Sequence, residues 1–234
     1  MALRCIPKGH CHPFQNWGDP LVIVVLTGAP GAGKGTQADL LAHREGYRKL
    51  STGDALRKHV RAGTEIGKLA AAVMERGELV SDDLLFRILK EELGAIPATE
   101  TVLLDGYPRN IAQAQALETL KAFHPVTSAI LLDVPREELI SRLSGRRVCS
   151  SCGASYHVEE QPSKVAGVCD RCGGELGQRP DDKASSVAVR LDIYEKTTRP
   201  VLDFYRGRGV FREVVGTGEP ESVYKVLQAA IRGI

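Results

Sequence analysis

Little in this sequence favours a nucleic-acid or membrane partner. Its 31 basic and 29 acidic side chains leave a net charge of only +2, with the two signs interspersed. A nucleic acid therefore finds no bulk electrostatic attraction. Long apolar runs are missing too: Leu21–Leu26 is the size of a buried strand, well short of the ~20 apolar residues a membrane-spanning helix needs. Met1 to Pro20 lack the apolar stretch of about 7–15 residues that marks a secretory signal. They do hold Cys5, His10, Cys11 and His12, but at no standard ligand spacing. A terminal extension is expected there. Internal repeats and low-complexity tracts are also absent. What remains, 43% hydrophobic and 26% charged over 234 residues, suits a globular protein with one sizeable core and a small satellite or two.

Strand-like apolar runs alternate with helix-like periodicity, which predicts an α/β protein with a mainly parallel sheet. The expected strands are Leu21–Thr27, Tyr47–Leu50, Thr101–Leu104, Ser128–Val134 and Gly209–Val215. Leu21–Thr27 and Ser128–Val134 are nearly all apolar and so belong at the centre, covered on both faces. Helices are expected near Lys34–Arg44, Asp54–Val60, Gly67–Glu75, Asp82–Leu93, Ile111–Ala122, Pro135–Leu143, Asp182–Arg206 and Glu219–Ile234. Pro135 and Pro220 each fit a first helical turn, and Pro200 should kink or divide its helix. Arg147 to Gln178 breaks the rhythm, being rich in Gly and Ser and too small for a core of its own.

Directly after the first strand the chain reads Gly28-Ala29-Pro30-Gly31-Ala32-Gly33-Lys34-Gly35-Thr36. Repeated glycine lets backbone N–H groups curl round phosphate oxygens, where side chains would obstruct them. The following helix adds its positive N-terminus. Lys34 supplies a full charge to the β- and γ-phosphates, and Thr36 offers a hydroxyl toward Mg²⁺. Against G-x-x-x-x-G-K-[ST], that hydroxyl arrives one residue late, behind Gly35. Asp105 ends a strand where parallel sheets place their ligand crevice, and a carboxylate there can hold hydrated Mg²⁺. Asp181 and Asp182 could cap the next helix or sit near a nucleotide; the sequence leaves both open.

Four of the six cysteines form two C-x-x-C pairs, Cys149/Cys152 and Cys169/Cys172, each followed at once by glycine. That spacing predicts two knuckles closing a tetrahedral Cys₄ shell round a structural Zn²⁺. With no export signal in view, zinc is expected over disulfides, and with it a reducing, cytoplasmic setting. His157, between the knuckles, is expected to be a surface or backbone-bonding residue and not a ligand. The ribbon carries few basic or aromatic residues (Lys164, Arg171, Tyr156), which weighs against its touching nucleic acid.

The phosphate loop resembles that of the adenylate kinases, of the form G-x-P-G-x-G-K-G-T. So do Ser51-Thr52-Gly53-Asp-Ala-Leu-Arg57, the D-G-[FY]-P-R stretch Asp105-Gly106-Tyr-Pro-Arg109 with Gln113 in register, Gly145-Arg146-Arg147, and Arg179-Pro-Asp-Asp182 through Arg190. These run in family order from about residue 21 to the C-terminus, and the long lid with its cysteines resembles the zinc-bearing bacterial members. The resemblance implies a five-stranded parallel sheet flanked by helices, and the reaction ATP + AMP ⇌ 2 ADP with Mg²⁺. It implies a core of residues 21–50, 81–144 and 183–234, an AMP-binding excursion at 51–80, and a lid at 145–182. It assigns AMP to Thr52, Gly53, Arg57, Glu78, Leu79, Val80, Gly106, Arg109, Gln113, Arg179 and Arg190. ATP and the transferring group fall to the loop with Arg142, Arg146, Arg179 and Arg190. Thr52 and Gln113 point to adenine as the accepted base, and a monomer is expected.

The chemistry agrees with these assignments. Two polyanions must be brought together, and the attacking phosphate oxygen is already anionic, so cations are needed and a base is not. Planar guanidinium forks suit that task. Arg142 and Arg146 are one helical turn apart and could point the same way; Arg179 and Arg190 would return to nearly one face, but the helix is expected to begin after Arg179.

Overall fold

The computed structural model describes residues 4–5, 11–12, 22–76, 78–97, 99–121 and 124–233. Most of the proposed terminal extension lies outside these residues; Arg4–Cys5 pairs antiparallel with Cys11–His12.

Five parallel strands form the central sheet. In chain order they are β1 (Val22–Thr27), β2 (Arg48–Ser51), β3 (Thr101–Asp105), β4 (Val126–Asp133) and, last, β8 (Phe211–Val215). Their spatial order is β8-β4-β1-β3-β2, all parallel. The two apolar runs expected at the centre are β1 and its neighbour β4. Their apolar stretches, Val22–Leu26 and Ala129–Leu132, are continuous because both faces are covered. Ile23 and Val25 point to one core, with Val102, Leu104, Leu89 and Tyr205; Val24 and Leu26 point to the other, with Leu103, Ile130, Leu41 and Leu227. That alternation is the period of two built into every strand.

The helices are α1 (Lys34–Glu45), α2 (Thr52–Arg61), α3 (Glu65–Glu75), α4 (Asp82–Gly94), α5 (Ile111–Glu118), α6 (Arg136–Gly145), α7 (Ala184–Ile193), α8 (Pro200–Arg206) and α9 (Pro220–Arg232). Pro220 sits in a first turn as expected, but Pro135 precedes its helix as the N-cap. The long C-terminal helix is divided: a π-helical turn at Tyr194–Thr198 separates α7 from α8, which Pro200 opens. Between α6 and α7 a small antiparallel sheet, β5 (Arg146–Cys149), β6 (Ser155–His157) and β7 (Leu176–Gly177), occupies the aliphatic-poor segment. No helix is long and apolar enough to cross a membrane, among the described residues.

The last helix braces the first. Glu45, at the end of α1, is buried and accepts hydrogen bonds from Tyr224, Gln228 and Arg232 of α9. Because α1 begins at Lys34, this brace holds the phosphate loop's own helix. From β1 the chain crosses to β2 and β3 on one side, and after β3 it crosses to β4 and β8 on the other. The crevice beyond the strands' carboxyl ends therefore opens at β1 and β3, where Leu26 lies opposite Asp105.

Leu103 is fully buried under α1. Leu103→Ala is expected to cost ~2–5 kcal/mol of stability, read from the urea midpoint; a loss below ~1 kcal/mol would contradict this account of the core.

Candidate functional site

The loop from Gly28 to Gly33 bends back on itself in a way only glycine tolerates. At Gly31, with φ +88°, an added Cβ would lie 3.1 Å from the Leu139 carbonyl oxygen. At Gly28 it would lie 2.7 Å from that of Leu132. The turn is thus pinned between β4 and α6. Lys34 folds over it, and Nζ donates to the carbonyls of Gly28 at 2.7 Å and Ala29 at 2.9 Å. Thr36 lies exposed in the first turn of α1.

Cations from distant parts of the chain gather round this lysine. Loss of hydration lowers the Lys34 pKa to about 8; Asp105 opposes the shift, and Arg109, Arg190 and Arg146 add to it. Arg109 is also depressed, first by burial and then by Arg190, with Arg57 adding and Asp105 opposing. Arg179 is lowered by burial, Arg57 and Arg146, against Asp181 and Asp182. Each shift reports the same thing, that positive charges stand close together away from water.

Their mutual repulsion is contained by local partners. Asp182, whose side chain has no exposure, accepts from Arg146 Nε at 2.7 Å and Nη2 at 2.5 Å, and from Arg190 Nη1 at 2.9 Å. Arg190 Nη1 also pairs with Asp181 Oδ2 at 3.1 Å. Neither acid caps α7, which has no side-chain cap; Asp182 instead clamps Arg146, at the start of β5, to Arg190 of α7. Arg142 is bonded to Glu138 and donates to the Gly216 carbonyl at 3.2 Å. It comes to the loop's edge, where a Cβ on Gly33 would lie 3.9 Å from Nη1.

One helical alignment needs correction. Helix α6 ends at Gly145 and Arg146 is extended, so Arg142 and Arg146 do not share a helix face. Arg179 lies outside α7, as the helix start expected at Asp182 implies, before a 3₁₀ turn at Pro180–Asp182. Asp182 draws Arg146 and Arg190 together, and the charges of Arg57 and Arg146 reach Arg179; helical periodicity has no part in it.

The residues assigned to AMP cluster across the crevice. Thr52 Oγ1 donates to the Gly106 carbonyl at 3.0 Å, and Arg109 Nε donates to the same oxygen at 2.7 Å. Arg57 pairs with Asp54 at 2.5 Å, and Gly53 packs against its guanidinium. Gln113 is 1% exposed, and its amide already bonds both the backbone N–H of Arg109 and the carboxylate of Asp82. Glu78, Leu79 and Val80 lie between α3 and α4: Glu78 is bonded to Arg76, and Val80 packs in the core. Asp82 and the clamping role of Asp182 were invisible in the sequence. Acids beside a helix start read as partners of its dipole; Asp82 belongs to no motif, and the motif that holds Asp182 does not name the arginines it binds.

In the lid, the four thiols of Cys149, Cys152, Cys169 and Cys172 lie within 4.8 Å of one another. The closest pairs, Cys149–Cys172 at 3.5 Å and Cys152–Cys169 at 3.6 Å, are too far apart for disulfides. They approach the ~3.8 Å sulfur separation that follows from Zn–S bonds of about 2.3 Å in a tetrahedron. Both knuckles turn alike: Gly153 N–H returns to the Cys149 carbonyl at 3.0 Å and Gly173 N–H to that of Cys169 at 2.8 Å. The residues fit a metal of this kind. His157 stands apart from the thiols and is buried. Its Nδ1 accepts from the backbone N–H groups of Glu159 and Glu160 and its Nε2 faces the Ser141 carbonyl, so it is the backbone-bonding residue of the two alternatives.

Comparison with known proteins agrees with this geometry. The adenylate kinase family model matches residues 26–210. An adenylate kinase of Thermodesulfovibrio yellowstonii is 46% identical over 210 residues, which is 89% of this chain and 98% of that one. That of Caldanaerobacter subterraneus subsp. tengcongensis is 45% identical over 90% of this chain and 96% of its own. That of Methanosarcina acetivorans is 45% identical over 89% and 97%.

If one ion ties the lid together, metal stripped with a strong chelator should lower Tm by ~10 °C or more, and added Zn²⁺ should restore it. Cys152→Ser should do the same while leaving the rate of the chemical step within a few-fold. Unchanged melting after complete metal removal would overturn a structural role.

Proposed function

The chain belongs to the adenylate kinase family, and from that premise we propose that it moves the terminal phosphoryl group of ATP to AMP, with Mg²⁺, giving two ADP. One observation carries this reading. Arg109, Arg146 and Arg190, from three separate segments, bring their charges to bear on Lys34 of the phosphate loop, and Asp182 bonds the last two together. Such a concentration of cations suits two polyanions held end to end.

The parts then take distinct tasks. The loop's N–H groups and Lys34 hold the ATP phosphates, with Lys34 exchanging its two carbonyl partners for phosphate oxygens. Arg142, beside Gly33 and Gly216, attends the donor nucleotide. Arg146, Arg179 and Arg190 stabilise the charge spread over the equatorial oxygens in flight. Arg57 and Arg109 grip the AMP phosphate, while Thr52, Gly53, Gly106 and Gln113, with Glu78, Leu79 and Val80 at the margin, line the nucleoside side. A divalent ion arriving with ATP would be held by Asp105 and the Thr36 hydroxyl, and would neutralise the β- and γ-phosphates. The carboxylate of Asp105 fits that role, since it stands 3.9 Å from a Cβ built on Gly35 at the loop's open side.

Residues 51–80 and 145–182 are proposed to close over AMP and ATP, excluding the water that would otherwise take the phosphoryl group. The lid sheet would swing with its zinc as one piece, hinged where Arg146 and Arg179 enter and leave. We read the protein as a cytoplasmic monomer that balances the adenine nucleotide pool, without a nucleic-acid or membrane partner.

The test is ADP formation from ATP with AMP, UMP, CMP or GMP as acceptor. AMP should be preferred, and Lys34→Met should lower kcat ~10²-fold or more. A preferred pyrimidine acceptor, or a Lys34→Met enzyme at full speed, would contradict the reading.

A further inference from the structure

Asp82 opens α4 and gathers two side-chain amides. Asn110 Nδ2 donates to its Oδ2 at 2.9 Å and its Oδ1 at 3.1 Å, and Gln113 Nε2 donates to Oδ1 at 2.6 Å. On the other side of the same amide, Gln113 Oε1 accepts from the backbone N–H of Arg109 at 2.6 Å. The carboxylate can only accept and the backbone N–H can only donate. Turned over, the amide would set its NH₂ against an N–H and its oxygen against a carboxylate, in a site only 1% exposed. One orientation is therefore held from both sides. The same carboxylate steadies Asn110, whose Oδ1 accepts from the Gln113 backbone N–H at 2.8 Å. Asp82 thus acts on Gln113 directly and through its helix cap.

What this leaves over is specific. The amide has two N–H groups and two lone pairs; one of each is taken by Asp82 and Arg109, and one of each remains, in a fixed order. Adenine presents an amino donor at C6 and an acceptor at N1. A 6-oxopurine in the same pose presents an acceptor at C6 and a donor at N1. A glutamine amide can pair with either, but only by turning over. We propose that Asp82 is a positioning residue that sets the order of donor and acceptor shown by Gln113, and thereby selects adenine over 6-oxopurine acceptors. This deepens the function proposed above and rests on its reading that Gln113 faces the base.

The test compares AMP with IMP as acceptors for MgATP, using the full-length protein. These two share every part except the edge at C6 and N1. The wild type should favour AMP by ~10²-fold or more in kcat/KM. Asp82→Ala and the larger Asp82→Leu, neither of which offers an acceptor, should each lower that preference by about tenfold, mainly through the KM for AMP, with the KM for ATP unmoved. Asp82→Leu keeps most of the side-chain volume, so it serves where the alanine variant does not fold. A merely structural role would weaken AMP and IMP alike and leave their ratio unchanged. Gln113→Leu separates the two layers. If it abolishes the preference while both Asp82 variants retain it, Asp82 does not set the order and the proposal is overturned. If Gln113→Leu itself retains the preference, the reading that Gln113 faces the base is overturned, and this proposal falls with it.

Discussion

Crowded positive charge is the constraint on which this structure depends. Two unit charges about 4 Å apart repel by ~4 kcal/mol at an effective dielectric constant of about 20, and here Lys34, Arg109, Arg146, Arg179 and Arg190 stand in one crevice with Asp105, Asp181 and Asp182 as counter-charges. The fold resists that repulsion with rigid elements. The loop is pinned between β4 and α6, and α1 is braced by α9 through Glu45. A protein does not hold such a cluster for its own stability, since surface arginines paired singly would cost nothing. The cluster is complementary to something more negative than its own three carboxylates, and two nucleotides supply it.

The lid follows the same logic at a different scale. Its three short strands bury too few aliphatic side chains to hold themselves, and the four thiols, placed to share one metal ion, would take over that work. The payoff lies at its two ends. Arg146 leaves α6 just before the first knuckle, Arg179 follows β7, and Asp182 binds back to Arg146. A metal that fixes the sheet also fixes the register in which these charges meet.

Much of this was legible in the sequence, for identifiable reasons. β1 and β4 announced themselves because strands covered on both faces carry continuous apolar stretches, here Val22–Leu26 and Ala129–Leu132, and the phosphate loop because backbone recognition demands glycine at set intervals. The knuckles were plain from C-x-x-C spacing alone. Legibility failed where partners are far apart in the chain. Arg146 and Arg142 suggested one helix face, but Gly145 ends the helix and a carboxylate 36 residues away determines where Arg146 points. Gln113 looked free to bind a base, whereas both ends of its amide already have protein partners, one of them 31 residues away. Pairings of that span leave no local pattern, so Asp82 passed unmarked and Asp182 could be read equally as a helix cap or as a neighbour of the nucleotide.

The claim that Lys34 stands away from water among cations, ready for an anion, is tested most directly by proton uptake. With its pKa lowered to about 8, Lys34 in the free protein is mostly neutral at pH 9. Phosphate oxygens favour the ammonium form, so binding raises its pKa back toward the ordinary lysine value and draws a proton from solution. Calorimetry of ATP binding at pH 9, in two buffers of different ionisation enthalpy, should show most of one proton taken up per chain, with affinity falling as pH rises through about 8; Lys34→Met should abolish most of that uptake. Binding with no proton uptake in the wild type would show that Lys34 is not held away from water among other cations, and would contradict the account.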